Sequence, residues 1–84
     1  MIVNIVKSIK SDNEIEFHLG DDIHFILCRN DKEYICYGVI ADIDSAGFLI
    51  NDVELDSMNL AEQLFIKYHE VKDGVINKTD HNWC

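Results

Sequence analysis

The chain has 84 residues, enough for one small domain with a single core, and 48% of them are hydrophobic, which excludes an intrinsically disordered chain. Sixteen acidic against seven scattered basic side chains give a formal charge of −9, which disfavours direct binding to the phosphates of a nucleic acid. No apolar run approaches the roughly 18 residues of a membrane span, so we expect no membrane contact and a cytoplasmic location.

The first part of the chain predicts two short strands. Residues 2–9 fit an alternating strand, although a helix stays open there. After a polar turn, residues 14–19 alternate strictly and place Ile15, Phe17 and Leu19 on one face. This pattern predicts a half-buried strand.

Residues 23–28 form the next predicted strand. Alternate residues of this run point into the core, and the other face carries Ile26 and Cys28, so that it is apolar too. We therefore expect this strand to be covered on both faces. The predicted core residues are Ile23, Phe25 and Leu27.

The longest strand candidate covers residues 34–43 and follows a turn at Asn30-Asp31-Lys32. Gly38 lies in its middle, and a residue without a side chain lets a long strand bend sharply and serve two sides of a small barrel. We assign one face of the strand to the core. The residues of that face are Ile35, Tyr37, Val39, Ala41 and Ile43.

A turn at residues 44–47 returns the chain into another apolar strand. Phe48, Ile50 and Val53 are expected to enter the core. The segment Asn59-Leu60-Ala61-Glu62 then predicts one or two helical turns, because an Asn side chain caps a first turn and a Glu three residues later reaches back to it.

The C-terminal part returns to strand composition at residues 64–71 and 75–76. We therefore expect a single small β domain over residues 1–76 and a flexible tail over residues 77–84. The predicted fold class is mostly β, a small SH3-like or Sm-like barrel of five to six antiparallel strands with one short helical turn.

The resemblance to the Sm-like family covers residues 23–71. It consists of core and turn positions, which are Ile23-x-Phe25-x-Leu27, a polar turn, Gly38-Val39-Ile40-x-x-Ile43-Asp44 and Phe48-Leu49-Ile50. Sm-like proteins bind RNA through an Asn in the loop after the Asp and an Arg-Gly pair in the last hairpin. Here these positions read Ser45-Ala46-Gly47 and Ile66-Lys67-Tyr68, so the resemblance implies the architecture and not RNA binding.

The three cysteines favour a reducing compartment, because they are odd in number and include no Cys-x-x-Cys pair. Cys28 and Cys36 flank a predicted turn and could face each other as a disulfide bridge or as two metal ligands. We favour two small buried hydrophobic residues in neighbouring strands. Cys84, the last residue of the sequence, is expected to be an exposed thiol.

No motif for catalysis, a metal or a cofactor is evident. The run from Asp42 to Gly47 matches the opening of a calcium loop, but Ala46 and Val53 stand where further ligands are needed, so an acidic hairpin turn is favoured. The four histidines are too dispersed for a metal site. We therefore predict no cofactor, no metal and no enzymatic activity.

Binding is the function class that remains. The first hypothesis is a small acidic module that acts through protein–protein interaction, with an exposed strand edge or an aromatic surface contacting an unknown protein partner or a second copy of itself. Tyrosine suits an interface because it joins an apolar ring to a polar tip. The candidate residues are Tyr34, Tyr37 and Tyr68.

The alternative is an inhibitor that mimics nucleic acid, as small acidic proteins of phages and mobile elements do. It requires carboxylates from adjacent segments to form one negative face. The candidate carboxylates are those of Asp42, Asp44, Asp52, Glu54 and Asp56.

Overall fold

Strands make up most of the described chain, which confirms the prediction of a mostly β domain. The computed structural model describes residues 8–56 and 58–79. In these residues no helix is long and apolar enough to cross a membrane. The strands are β1 (Ser8–Lys10), β2 (Glu16–His18), β3 (Asp22–Arg29), β4 (Lys32–Ile43), β5 (Gly47–Leu55), β6 (Met58–Lys67) and β7 (Val71–Lys78), and a 3-10 helix covers Tyr68–Glu70.

Five of the strands form one antiparallel sheet in the order β6-β5-β4-β3-β7, and β1 and β2 form a separate hairpin. The hairpin is joined to β7 by two hydrogen bonds. The Asp12 N–H donates to the Gly74 carbonyl (2.9 Å), and the Asn13 side chain donates to the Ile76 carbonyl (3.2 Å). One core therefore lies between the large sheet and the hairpin, whose Phe17 is fully buried.

The turn between β3 and β4 fixes the register of the hairpin. Asn30 and Asp31 both have positive φ angles, 55° and 61°, as a two-residue turn with the twist of the flanking strands requires. Arg29 therefore pairs with Lys32. The predicted inward face of β3 is confirmed, since Ile23, Phe25 and Leu27 are buried.

The prediction for the core face of β4 was wrong. Ile35 is 52% exposed, whereas Cys36 and Ile40 are buried. A register shift against β5 after Ile40 brings Ile43 back to the core. Because side chains alternate along a strand, an error of one residue exchanges the two faces. The residues assigned to the core that lie outside it are Ile35, Tyr37, Val39 and Ala41.

Two further expectations need correction. Residues 59–62, expected to start a helix, belong to β6, whose pairing with β5 overrides the local capping pattern; the helical turn comes later, at Tyr68–Glu70. The outer face of β3 is not covered as expected, since Ile26 is 39% exposed. By contrast, Phe48, Ile50 and Val53 are buried as predicted.

The ends of the chain are described only in part. Most of the first predicted strand, residues 2–9, lies outside the described residues, and only its end belongs to β1. At the other end, β7 runs to Lys78, past the expected start of the tail, and the Thr79 N–H donates to the Asp22 carbonyl (2.9 Å). Residues 80–84 lie outside the described residues.

The sheet bends where β4 passes Gly38. The pairing with β5 shifts register between Tyr37 and Val39, and Asp52 on the opposite strand takes a φ of 54°. A Cβ atom on Gly38 would lie 2.9 Å from two side-chain carbons of Ile50. Glycine is therefore required here by the close approach of the neighbouring strand.

An ion pair between Arg29 and Glu70 connects the end of β3 to the 3-10 helix. Arg29 Nε and Nη2 donate to the two carboxylate oxygens of Glu70 at 2.7 and 2.8 Å, and Nη2 also donates to the Phe65 carbonyl (3.0 Å). The Lys67 N–H donates to the same carboxylate (3.0 Å). Strands β3 and β6 are separated by two strands in the sheet order, so Arg29 bridges them only because the sheet curls.

The pKa values of both groups reflect this pairing. The hydrogen bonds from Arg29 outweigh the cost of burial and lower the pKa of Glu70 to about 2, and the Glu70 carboxylate raises the pKa of Arg29. The Glu70 side chain is 11% exposed and the Arg29 side chain is 32% exposed, so solvent screens the pair in part. A bidentate pair of this kind contributes more to the free energy of unfolding than an exposed ion pair does.

Gly38→Val should lower the free energy of unfolding by about 1 to 3 kcal/mol, because the added methyl groups would overlap Ile50. Gly38→Ala should lower the free energy of unfolding by a smaller amount. Urea unfolding of the three proteins measures the difference. A gain in stability for the Val variant would contradict a bend at this position, since a β-branched residue is favoured in a regular, uncrowded strand.

Glu70→Gln should destabilise the protein at pH 7 by at most about 3 kcal/mol, which corresponds to the lowered pKa of Glu70. Because that pKa is lowered in the folded state, the stabilisation is complete above about pH 4.5 and is lost as the pH falls towards 2. Urea unfolding of both proteins between pH 7 and pH 3 should show the difference shrinking with acidity.

Glu33→Gln provides the control for that series, since Glu33 pairs with Lys72 in an exposed bridge (3.0 Å). This variant should change stability little at any pH. A difference between wild type and the Glu70 variant that does not depend on pH would contradict the role of the Glu70 charge.

Candidate binding surface

The outer face of β3 and β4 carries a cluster of side chains that the core does not use. Ile26 lies opposite Ile35, and His24 lies opposite Tyr37, in the antiparallel register. Two large aliphatic side chains thus stand side by side, 39% and 52% exposed. We call these four residues the outer patch.

Two members of the outer patch are fixed in place. The rings of His24 and Tyr37 stack with their centres 5.3 Å apart. His24 Nδ1 lies 3.0 Å from the Thr79 hydroxyl oxygen, a hydrogen bond that ties the ring to the end of β7. A side chain held in one orientation loses little conformational entropy when a partner binds against it.

Strand β7 carries a wide bulge beside Ile26. Leu27 pairs with Val71 and Phe25 pairs with Ile76, so four residues of β7 face the single residue Ile26. Within this bulge Asp73 and the following glycine both take positive φ angles. A hollow of about 570 Å³ lies here, and its lining includes all four residues of the outer patch and Val75 of β7.

An ion pair and an acidic groove border the outer patch. The bridge between Lys72 and Glu33 spans β3 at the level of Cys28. At the other end lies a groove of about 200 Å³, which shares Tyr37 with the hollow. The acidic residues of this groove are Asp22, Asp52 and Glu54.

The structure does not bring the three predicted tyrosines together. Tyr37 belongs to the outer patch, whereas Tyr34 packs against the core. Tyr68 also packs against the core, 6.0 Å from the Phe48 ring, and its hydroxyl donates to the Asp44 carbonyl (2.7 Å). Burial raises the pKa of Tyr68. These contacts give Tyr34 and Tyr68 places at the margin of the core.

The five predicted carboxylates are spread along β5 and its two turns. Asp42 lies near the end of β4, Asp44 lies in the turn before β5, and Asp56 follows the end of β5. The strand between them has nine residues and spans about 30 Å. Only Asp52 and Glu54 share a groove.

Two of these carboxylates have structural roles in turns. Asp44 accepts hydrogen bonds from the Ala46 N–H (3.3 Å) and the Ser45 hydroxyl (3.1 Å), which lower its pKa. Asp56 accepts a hydrogen bond from the Ile35 N–H (2.8 Å). The run from Asp42 to Gly47 is thus an acidic hairpin turn, as expected.

The two cysteines of the β3–β4 hairpin do not face each other. Cys28 lies opposite Glu33 and Cys36 lies opposite Phe25, so that the thiols point to different faces and are both free. This arrangement excludes the bridge and the shared metal site left open by the sequence. Among the described residues no group of His, Cys, Asp or Glu is placed to hold a metal ion.

Sequence reasoning missed Ile26 and Ile35 as surface residues and did not name His24 as a candidate binding residue. Both faces of β4 are apolar in sequence, so hydrophobicity alone did not separate inside from outside. The signal that could have found them is the Asn30-Asp31 turn, because a two-residue turn fixes which residues pair.

Comparisons of the chain with models of protein families, with curated proteins and with solved structures found no match.

The two thiols should differ strongly in reactivity. Cys36 is 0% exposed, and desolvation raises its pKa to about 12, whereas Cys28 is half-buried on the outer face. With iodoacetamide at pH 7.5, we expect Cys28 to be alkylated at least about 100-fold faster than Cys36 in the native protein. Peptide mass spectrometry measures both rates, and 8 M urea should abolish the difference. Equal rates in the native state would contradict the assigned faces.

Proposed function

We propose that this domain is a small acidic protein-interaction module that binds a protein partner through the outer patch. The observation that carries the proposal is the exposed pair of Ile26 and Ile35 beside the fixed rings of His24 and Tyr37. An apolar cluster on a rigid sheet with a charged rim has the anatomy of a protein interface. The free thiols suit a reducing compartment, and we expect the interaction to occur in the cytoplasm.

We also propose that the fold is a small barrel of the SH3-like or Sm-like type. Three features support this proposal: the sheet order β6-β5-β4-β3-β7, the bend at Gly38 and the single helical turn before β7. The reach of Arg29 from β3 to the Phe65 carbonyl of β6 requires a strongly curled sheet, as in a small barrel.

We do not propose nucleic-acid mimicry. A mimic needs a dense row of negative charge, because duplex DNA carries about one charge per 1.7 Å of its axis. Asp44 and Asp56, in contrast, lie at opposite ends of β5 and are held in turns.

Capture of proteins from a lysate of the source organism tests the interaction, with three baits compared by quantitative mass spectrometry. The baits are the wild-type chain, a patch variant (Ile26→Thr with Ile35→Thr) and a control variant (Leu19→Thr with Met58→Thr) that loses exposed apolar residues elsewhere. Proteins bound by the wild type should be retained by the control and reduced about ten-fold or more with the patch variant. Retention by all three baits would contradict the proposal.

A further inference from the structure

We propose that the partner contributes a basic segment, which lays an apolar side chain over Ile26 and Ile35 and directs a Lys or Arg two residues away into the acidic groove beside Tyr37. This inference rests on the proposed function and adds the chemistry of the partner. It follows from the way in which the hollow and the groove meet on one face of the sheet.

The groove has room for one long cationic side chain. Its volume is about 200 Å³, and its lining includes Asp22, Asp52 and Glu54, of which Asp52 and Glu54 carry the proposal. Carboxylates are the strongest hydrogen-bond acceptors for the N–H groups of Lys and Arg. Tyr37 forms one wall of this groove, and an aromatic ring also attracts a cation that approaches its face.

The apolar hollow and the groove are adjacent. Tyr37 lines both, and Glu54 lies directly opposite Tyr37 on β5. A partner with a basic residue two positions from an apolar one therefore reaches both sites with one short segment. An extended segment is the simplest geometry, because its alternate side chains point to the same face.

The charges around the outer patch favour a cation and disfavour a second copy of this chain. Lys72, the basic residue that lines the hollow, already pairs with Glu33. The chain carries a formal charge of −9, so that two copies repel each other, whereas a basic segment is attracted from a distance. Charge complementarity therefore selects a basic partner over self-association.

A random 12-residue peptide library displayed on phage is the probe for this inference. It is panned against the complete wild-type chain at low ionic strength. We expect the enriched peptides to carry Lys or Arg two positions from an aliphatic or aromatic residue, and their binding to weaken as salt is raised. Enrichment of neutral or acidic peptides would overturn the inference.

The best peptide is then synthesised with a fluorophore and titrated with three variants by anisotropy. Asp52→Asn with Glu54→Gln removes the groove charges, and Asn keeps the left-handed backbone at position 52. Asp31→Asn with Glu62→Gln makes the same change of net charge at exposed positions outside both cavities. We expect a roughly ten-fold weaker Kd for the groove variant and a change below two-fold for the control.

The patch variant separates the two proposals. If it abolishes binding while the groove variant binds like wild type, the basic partner is wrong and the proposed function stands. If the patch variant binds the peptide as tightly as wild type, the proposed function fails.

Equal weakening by the groove variant and its control would show that net charge alone attracts the peptide, and would overturn the assignment of the groove. Light scattering completes the test. If the wild type forms a concentration-dependent dimer and the patch variant does not, the outer patch binds a second copy of the chain and the basic segment is wrong.

Discussion

The guanidinium of Arg29 joins three parts of the chain that the sheet order keeps apart. It lies at the end of β3, pairs with Glu70 of the 3-10 helix and reaches the Phe65 carbonyl of β6. These contacts exist only in a curled sheet, and the curl encloses the core on the inner face. The Glu70 carboxylate accepts hydrogen bonds from both Arg29 and the Lys67 N–H, so the cost of its partial burial is offset by bonds to both of its oxygens.

Two local irregularities in the strands, at Gly38 in β4 and opposite Ile26 in β7, accompany the curl of the sheet and shape its outer face. At Gly38 the missing side chain lets β5 approach closely. In β7 the extra residues opposite Ile26 turn the strand away and leave the hollow. Bulges often re-aim side chains in this way near functional surfaces. The register of the β3–β4 hairpin places the four residues of the outer patch on one face, and the irregularity of β7 adds the hollow.

Much of the inner sheet could be predicted from the sequence, because its signals are local. The alternation of Phe25 and Leu27 and the turn at Asn30-Asp31 are contained in short runs. Together, these two signals also determine which residues of β4 point to the core. A two-residue turn places Cys36 opposite the buried Phe25, so Ile35 points outward. Hydrophobicity alone does not distinguish the two faces of β4, because both carry apolar residues.

Other features depend on contacts between distant parts of the chain. The segment 59–62 has a capping pattern suited to a helix, and only its pairing with β5 makes it a strand. The partners Arg29 and Glu70 are 41 residues apart, and no spacing in the sequence links them. The acidic groove likewise combines Asp22 of β3 with Asp52 and Glu54 of β5. Such juxtapositions arise from the topology of the sheet. The sequence therefore identifies the candidate carboxylates but does not show which of them lie close together.

The register of the β3–β4 hairpin decides which side chains face outward, and NMR spectroscopy tests it most directly. Arg29 and Lys32 close the two-residue turn, so Ile26–Ile35 and His24–Tyr37 are pairs without mutual backbone hydrogen bonds, with Cα atoms about 4.5 Å apart. Strong NOEs between the Hα protons of Ile26 and Ile35, and between those of His24 and Tyr37, are expected. Strong Hα NOEs that instead pair Ile26 with Cys36 would place Ile35 in the core and contradict the outer patch.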